Sequence, residues 1–269
     1  MIIDTHAHIG HILDFNMTTE QILYSMERYG VDFTLISHIE AAEFDHMGNP
    51  VPPEYQKPQN EVFRETVAEA RKAIGKLGVL PWLKIHSELP DEEFEAILKE
   101  NRDIVYGLKL HPFHSRTSPD DPKLEPVYRL AMEYRLPVVS HTGGCEEAMS
   151  VHLYNAAKAH PEIDFVMVHM DLGTDNKTAL DLLGKLPNLY GDTTWVPVHT
   201  TVEAIKRYGS KKMMFGTDNP IDGADTLLCN KIGERSLYQQ YFNELKSLIS
   251  AEEYADLMFR NAQRVFHIK

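Results

Sequence analysis

Residues 137–169, PVVSHTGGCEEAMSVHLYNAAKAHPEIDFVMVH, contain the pattern that decides the fold. Two apolar, β-branched runs, Pro137–Ser140 and Asp164–Val168, flank a helical pattern over Glu146–Ala159, and a histidine directly follows each run. Apolar runs that alternate in this way with amphipathic helical patterns are typical of parallel strands joined by crossover helices. The stretch therefore predicts one strand–helix–strand unit.

The same alternation continues in both directions until it covers the chain. Eight strands are predicted, at Ile2–Thr5, Asp32–Ser37, Gly78–Lys84, Val105–Leu110, Pro137–Ser140, Asp164–Val168, Asn188–Asp192 and Lys212–Thr217. The predicted helices are Thr18–Tyr29, Asn60–Leu77, Asp91–Asn101, Pro122–Tyr134, Glu146–Ala159, Thr178–Leu186, Thr201–Tyr208, Arg235–Leu248 and an extra C-terminal helix, Ala251–Val265. Eight such units in 269 residues favour one α/β domain, residues 1–269, folded as a (β/α)8 TIM barrel rather than as an open doubly wound sheet.

Composition and charge argue against several classes of protein. Lysine and arginine number 27 and aspartate and glutamate 40, so the net charge of −13 is opposite to that of a nucleic-acid-binding surface. The sequence shows no apolar run long enough to span a bilayer and no signal segment at Met1. Two cysteines, Cys145 and Cys229, provide no disulfide framework, as is usual in a reducing cytoplasm. We expect a cytoplasmic protein with a small-molecule substrate, no nucleic-acid or membrane partner, and, on general frequency, a homodimer.

A long loop, residues 38–59, follows the second predicted strand. It carries four prolines, Pro50, Pro52, Pro53 and Pro58. Loops of this length are usually lids or binding loops, or else mobile connections. The sequence leaves both interpretations open.

Histidines follow most of the predicted strands. Those at strand ends are His6, His8, His38, His86, His111, His114, His141 and His169, and Asp218 ends the eighth strand. In a TIM barrel these positions open on one rim, where active sites are built from strand ends and the loops that follow them. The sequence therefore predicts a functional site at this rim.

The first predicted strand is followed by the pair His6 and His8. Side chains two residues apart on a strand point to the same side, so both imidazoles face the barrel mouth. They would supply half of the ligands of a tetrahedral metal site, although polar strand-end residues bonded to loops give the same motif. With His141, His169 and Asp218 on the same rim, the pair favours a divalent metal, zinc or manganese.

Each downstream candidate also has a structural interpretation. A core histidine bonded to a backbone carbonyl would explain His141 or His169, and a turn aspartate before proline would explain Asp218. The functional hypothesis makes Asp218 a metal ligand that also takes a proton from metal-activated water. The neighbouring Asn219 is expected to contact substrate.

Lys109 and His111 share one face of the fourth predicted strand. A lysine that points into a barrel is costly to desolvate, so it needs a partner or a changed charge. As a cation it would bind a substrate carboxylate or phosphate, with His111 beside it. As a carbamate it would become an oxygen ligand that bridges two metals. A shifted register would instead send Lys109 outward to solvent.

The residues together resemble the amidohydrolase superfamily, and most of all its family-2 branch of metal-dependent hydrolases. The matching stretches span the chain: Ile2–His8, Gly107–Pro112, Ser140–Gly143, Phe215–Asp218 and Arg260–Phe266. The resemblance implies that metal is bound by His6, His8, His141 and Asp218, and that His169 binds a second metal or hydrogen-bonds the substrate or the reactive water. TatD-type nucleases are similar in layout but carry a glutamate ligand on strand four, where this chain has Lys109. This departure argues against nuclease activity and leaves the number of ions, one or two, open.

Three functions compete. The leading hypothesis is hydrolysis of a small ester, lactone or amide by metal-activated water. The alternative is a metal-dependent, non-hydrolytic decarboxylase of a small aromatic or semialdehyde carboxylic acid, which in the resembling family uses the same ligands. A non-enzymatic metal-binding barrel would need no proton-transfer carboxylate, so Asp218 beside His169 argues against it.

Overall fold

Strands and helices alternate along the chain in a computed structural model that describes residues 1–220 and 240–269. The strands are β1 (Ile3–Ile12), β2 (Phe15–Met17), β3 (Phe33–His38), β4 (Leu77–Val79), β5 (Leu108–Leu110), β6 (Val138–Gly143), β7 (Phe165–Leu172), β8 (Leu189–Asp192) and β9 (Met213–Met214). The α-helices are α1 (Thr19–Tyr29), α2 (Gln59–Arg71), α3 (Glu92–Glu100), α4 (Pro112–Ser115), α5 (Glu125–Tyr134), α6 (Ser150–Ala159), α7 (Lys177–Leu183), α8 (Val198–Tyr208), α9 (Ala251–Ala255) and α10 (Asn261–Phe266).

Shorter helical turns complete the secondary structure. The 3-10 turns are Ile39–Ala41, Pro53–Tyr55, Pro122–Leu124, Glu146–Ala148, Ser210–Lys212 and Leu245–Ser247, and the π-helical turns are Gln240–Glu244 and Asp256–Arg260. The second π-turn joins α9 to α10, so the predicted C-terminal helix is present with a change of winding in its middle. The predicted helix Arg235–Leu248 lies partly outside the described residues, and so does Cys229.

The strands close into one barrel. Two sheets carry the ladders, in the orders β2-β1-β3-β4 and β5-β6-β7-β8-β9. Isolated parallel bridges join these sheets on both sides: Val79 to Val105, Trp82 to Lys109, and Ala7 to Asn219. The chain is a (β/α)8 TIM barrel, as predicted, in which β2 is an additional strand that pairs antiparallel with β1.

Local sequence explains where α1 begins and ends. The Thr18 hydroxyl accepts the N–H of Gln21, and the Gln21 side chain accepts the N–H of Thr18, which together form a capping box. Gly30 ends the helix in the left-handed region, at φ 68°, where a side chain would be strained. Between these ends, Ile22 and Met26 lie one turn apart and are buried against the barrel.

Three strands that carry candidate ligands extend several residues further than predicted. β1 continues to Ile12 instead of ending at Thr5, β6 to Gly143 instead of Ser140, and β7 to Leu172 instead of Val168. The histidines are therefore inside strands rather than after them. These strands continue through their polar residues. The reason is that a barrel strand extends to the barrel mouth, where polar side chains of a functional site are buried. The β1–β2 hairpin that follows was not predicted.

Other predicted bounds differ by a few residues. Helix α2 ends at Arg71 rather than Leu77, since Leu77 begins β4. The predicted strand Gly78–Lys84 keeps regular pairing only to Val79, and afterwards only the isolated Trp82 bridge remains.

The loop of residues 38–59 is hydrogen-bonded to the rim. The Glu43 carboxylate accepts the backbone N–H of His86 at 2.9 Å. The backbone N–H groups of Glu43 and Phe44 both donate to the His114 carbonyl, at 3.0 Å. These bonds favour a binding loop over a mobile connection, because each would have to break for the loop to move away. Within the parts of the chain that the structure describes, no helix has the length and apolar character of a membrane span.

Candidate functional site

Four side chains that the sequence placed at the rim converge in the barrel mouth. The ligand atoms of His6, His169 and Asp218 all lie within 4.8 Å of one another. His8 adjoins them, since its Nε2 lies 3.0 Å from His6 Nε2 and 3.1 Å from Asp218 Oδ1. All four are buried. They meet because parallel strands of a barrel end at the same rim.

Hydrogen bonds determine which nitrogen of His6 and His169 carries the proton. The single hydroxyl proton of Thr194 is donated to Asp192 Oδ2 at 2.7 Å. Thr194 Oγ1 can therefore only accept from His6 Nδ1, 3.3 Å away. The Thr194 carbonyl likewise accepts from His169 Nδ1 at 3.2 Å. Both rings are protonated at Nδ1, and each presents a lone pair on Nε2.

His8 faces the cluster through the same nitrogen. Its Nδ1 lies 2.9 Å from the Ser37 hydroxyl, which also faces the Ala7 carbonyl at 3.5 Å and so can donate there while it accepts from His8. Three acceptors then lie in contact: the Nε2 atoms of His6 and His8 and Oδ1 of Asp218. Acceptors this close repel one another unless cations lie beside them: Lys109 Nζ lies 3.0 Å from His6 Nε2, and a metal ion could be bound by all three atoms. The donor set therefore fits a metal ion.

Burial decides the charges within the cluster. It lowers the pKa of His6 well below the usual range, an effect that Lys109 reinforces, and it lowers the pKa of His169 to about 4. Burial alone would raise the pKa of Asp218, but attraction to positive charge within the cluster outweighs burial and holds that pKa well below its usual range. Asp218 is therefore the anion of the group, and its Oδ2 accepts the indole N–H of Trp195 at 3.0 Å.

Lys109 points into the barrel, which excludes the outward orientation. Its Nζ lies 3.0 Å from His6 Nε2, and the residue is 0% exposed. Burial lowers the pKa of Lys109 to about 8, although Asp218 and Asp192 oppose this shift. A buried amine with a lowered pKa beside the histidines suits either of the two roles predicted for it.

His141 lies beside the cluster in an aromatic stack. Its ring is 4.6 Å from that of His169, and it stacks on His111 at 4.2 Å, which in turn stacks on Trp82 at 4.4 Å. The Nε2 of His141 donates to the Gly143 carbonyl at 3.2 Å, so its lone pair is on Nδ1. The buried Nδ1 atoms of His141 and His111 have no hydrogen-bond partner in residues 1–220 and 240–269. Both are available to a ligand.

The structure does not bring the Asn219 side chain into this cluster. Its Oδ1 lies 3.4 Å from the Ser25 hydroxyl on α1, while its backbone carbonyl accepts the N–H of His8 at 2.9 Å. Asn219 therefore links the end of the barrel to β1 and α1. The substrate contact predicted for Asn219 from sequence stays a prediction.

A second group of possible ligands, His38, Glu40 and Glu65, lies at the end of β3. Lys57 already occupies it, since its Nζ lies 2.5 Å from the Glu40 carboxylate and 2.8 Å from that of Glu65. A cation of the chain itself already binds both carboxylates, so we assign no metal to this group.

Sequence reasoning missed three residues that contact the cluster directly: Asp192, the last residue of β8, and Thr194 and Trp195, which follow that strand. It also missed Asp4, whose Oδ2 accepts the Thr217 hydroxyl at 2.6 Å and so fixes the segment that carries Asp218. Position along the chain could have identified Asp192, because it ends the predicted strand Asn188–Asp192 and the candidate histidines also lie at the ends of predicted strands.

The whole fold is similar to those of several solved structures. 5-Carboxyvanillate decarboxylase from Sphingomonas paucimobilis superposes with a TM-score of 0.72 at 14% identity, over 100% of this chain and 99% of that one. For 2,6-dihydroxybenzoate decarboxylase from Rhizobium the TM-score is 0.70 at 13% identity, over 99% and 98% of the two chains. A probable 2-pyrone-4,6-dicarboxylic acid hydrolase from Acinetobacter baumannii gives 0.67 at 13%, over 99% of both. At these identities the similarity establishes the fold.

The sequence itself provides the family. No curated protein matches the chain. A family model described as Amidohydrolase matches residues 88–268, from the segment before α3 through the C-terminal helix, and this match includes Lys109, His141, His169 and Asp218. The match spans more than half of the chain, so the protein belongs to the amidohydrolase family, whose members are metal-dependent enzymes.

Proposed function

We propose that this enzyme is a metal-dependent hydrolase that splits a small ester, lactone or amide with water. The observation that carries the proposal is the convergence of His6, His169 and an ionised Asp218 in one buried cluster at the barrel mouth. Hydrolysis of this kind needs neutral nitrogen donors for a metal and a carboxylate that accepts a proton from the attacking water. The cluster contains both.

The proposed cofactor is a divalent ion, zinc in the first place and manganese in the second, because imidazole and carboxylate donors suit both. His6 and His8 would hold it through Nε2, Asp218 through Oδ1, and His141 through its unpartnered Nδ1. When bound, such an ion polarises a carbonyl group and makes water acidic enough to lose a proton near neutral pH. A second ion would add His169 as a ligand.

The remaining side chains are assigned by their position. Asp218 accepts the proton of the attacking water, and the Trp195 N–H on Oδ2 orients its carboxylate toward the histidines. His169 accepts a hydrogen bond from substrate or water through its bare Nε2 when one ion is bound. Lys109 and His111 contact the substrate, Lys109 as a cation and His111 through Nδ1.

A decarboxylase is the second candidate, and the stack of Trp82, His111 and His141 favours it. Flat aromatic side chains beside a metal site would also pack against a planar, carboxylated ring. Two of the similar solved structures are decarboxylases of aromatic acids by name, whereas one is named a probable hydrolase. Hydrolysis remains the first proposal because Asp218 and the neutral histidines suit the activation of water.

Heavy-oxygen water separates the two reactions. A screen of lactones, esters, amides and carboxylated aromatics would first supply a substrate, with chelator-treated enzyme as the control. In H₂¹⁸O we expect the product to gain one solvent oxygen, because hydrolysis places water oxygen in the new acid. Mass spectrometry of the product measures this directly. Loss of carbon dioxide without any solvent oxygen in the organic product would contradict hydrolysis and support the decarboxylase.

The role of Lys109 is tested by substitution and metal counting. Lys109→Met should raise KM for a carboxylate-bearing substrate by about ten- to a hundredfold, because a charge-assisted hydrogen bond contributes about 1.5–3 kcal/mol. Metal content should stay that of the wild type and should not respond to bicarbonate. Elemental analysis with and without bicarbonate would reveal the carbamate instead, as a second ion that appears with bicarbonate and is lost in the variant.

We also propose the setting in which the enzyme works. A net charge of −13 disfavours nucleic acid and leaves small molecules as substrates. The scarcity of cysteine is consistent with a cytoplasmic location, and a homodimer follows general frequency among enzymes. A single domain is proposed for residues 1–269, since β1 bonds to the segment after β9 and so ties the two ends of the barrel together.

A further inference from the structure

We propose that Asp192 and Thr194 act as a positioning pair that sets the metal affinity of the site by holding His6 in its ligating form. The proposal rests on the metal-binding function proposed above and adds to it residues outside the ligand set. Asp192 is the last residue of β8, and Thr194 lies two residues further along the chain. Both are fully buried.

The Asp192 carboxylate is satisfied on both oxygens by neighbours of the site. Oδ1 accepts the backbone N–H of His169 at 3.0 Å and that of Thr194 at 3.1 Å. Oδ2 accepts the Thr194 hydroxyl at 2.7 Å and lies 3.7 Å from His6 Nδ1. The hydroxyl proton is thus committed to the carboxylate, so the hydroxyl can only accept from His6.

This arrangement gives Thr194 control of two rings at once. Its hydroxyl requires a proton on His6 Nδ1, and its carbonyl requires one on His169 Nδ1. The negative charge of Asp192 also polarises the Thr194 hydroxyl and, through it, the His6 ring. This makes the lone pair on His6 Nε2 a stronger ligand for a metal. Such partners behind a ligating histidine typically change metal affinity by about ten- to a hundredfold.

The backbone of the neighbouring strand is shaped for this pair, which is an independent observation. A Cβ on Gly216 would lie 2.6 Å from Asp192 Oδ2 and 2.7 Å from Thr194 Oγ1, closer than any side chain tolerates. Gly216 is itself held by Thr193, whose hydroxyl donates to its carbonyl and accepts its N–H. Only glycine at this position lets the carboxylate and hydroxyl approach the segment that follows β9.

The test compares two threonine-to-valine variants of the full chain. Thr194→Val removes the hydroxyl that bonds to His6 and Asp192. Thr34→Val is the matched control, because Thr34 is buried on β3 and its hydroxyl has no partner among the described residues. Zn²⁺ affinity is measured by chelator competition, and the visible spectrum of the Co²⁺-loaded protein reports the ligand geometry.

We expect Thr194→Val to bind Zn²⁺ about ten- to a hundredfold more weakly and to shift the Co²⁺ spectrum. Thr34→Val should leave both unchanged, and Thr194→Ser, which keeps the hydroxyl, should restore affinity. If Thr194→Val does not fold, Gly216→Ala supplies the same test, since its methyl group pushes the pair apart. Wild-type affinity in a folded Thr194→Val or Gly216→Ala variant would overturn this inference alone. A wild-type chain that binds no divalent ion would overturn the proposed function as well.

Discussion

Asp218→Asn is expected to lower kcat by a factor of about 10² to 10⁴ while the folded enzyme keeps much of its metal. The amide keeps the shape of the side chain and one oxygen donor, but it cannot accept a proton from the attacking water. The structure supports an ionised Asp218, since attraction to positive charge in the cluster holds its pKa well below the usual range despite burial. Steady-state kinetics, together with the metal content of the same sample, measure the effect.

Asp171→Asn is the matched control for this experiment. Asp171 is also a buried aspartate near a strand end with a left-handed backbone, at φ 68° against 66° for Asp218. Its carboxylate, however, accepts the N–H and hydroxyl of Ser150 at the start of α6 rather than facing the cluster. Asp171→Asn should therefore cost stability but not turnover. Near-normal kcat in a folded, metal-loaded Asp218→Asn enzyme would show that Asp218 is only a turn residue.

Replacing both His6 and His8 with Ala should remove most of the metal. Binding energies of about 10–16 kcal/mol for four-ligand zinc sites correspond to roughly a hundredfold or more in affinity for each ligand. Loss of both imidazoles leaves Asp218 without the Nε2 atoms that lie 3.5 and 3.1 Å from its Oδ1. Elemental analysis after dialysis against a weak chelator measures the metal that remains.

A second double variant controls for the loss of histidine as such. His46 and His267 are exposed and lie outside the cluster, so replacing both with Ala should leave metal content unchanged. Full occupancy in the folded His6→Ala, His8→Ala variant would contradict the assignment of these residues as ligands and with it the metal centre at this rim.

The fold was predictable because its signal is local and repeated. Each apolar run followed by an amphipathic helical pattern predicts one strand and one helix. Eight such units in a row are compatible with only a few chain topologies. The strands β1, β6 and β7 were predicted too short, because polar residues near a strand end suggest a loop when the residues around them in space are unknown. The β1–β2 hairpin was missed for the same reason.

The candidate site was predictable where it depended on strand ends. His6, His8, His169 and Asp218 meet as expected because the barrel brings every strand end to one rim. Asn219 was placed at the same rim, yet its side chain oxygen lies against Ser25 of α1, while its backbone forms a β-bridge with Ala7. Position along a strand indicates the rim a residue reaches but not the direction its side chain takes in the turn.

The sequence by itself determined the barrel, the rim and the chemical type of its residues, because period and composition are local properties. Only the tertiary structure decided which nitrogen of each histidine is free. Those protons depend on Thr194, Ser37 and Gly143, of which only Gly143 is near in sequence to the ring it contacts. The tertiary structure also decided that Lys109 points inward, 3.0 Å from His6, across 103 residues of chain. Contacts between side chains so distant in sequence depend on strand register and burial, and no local pattern carries that information.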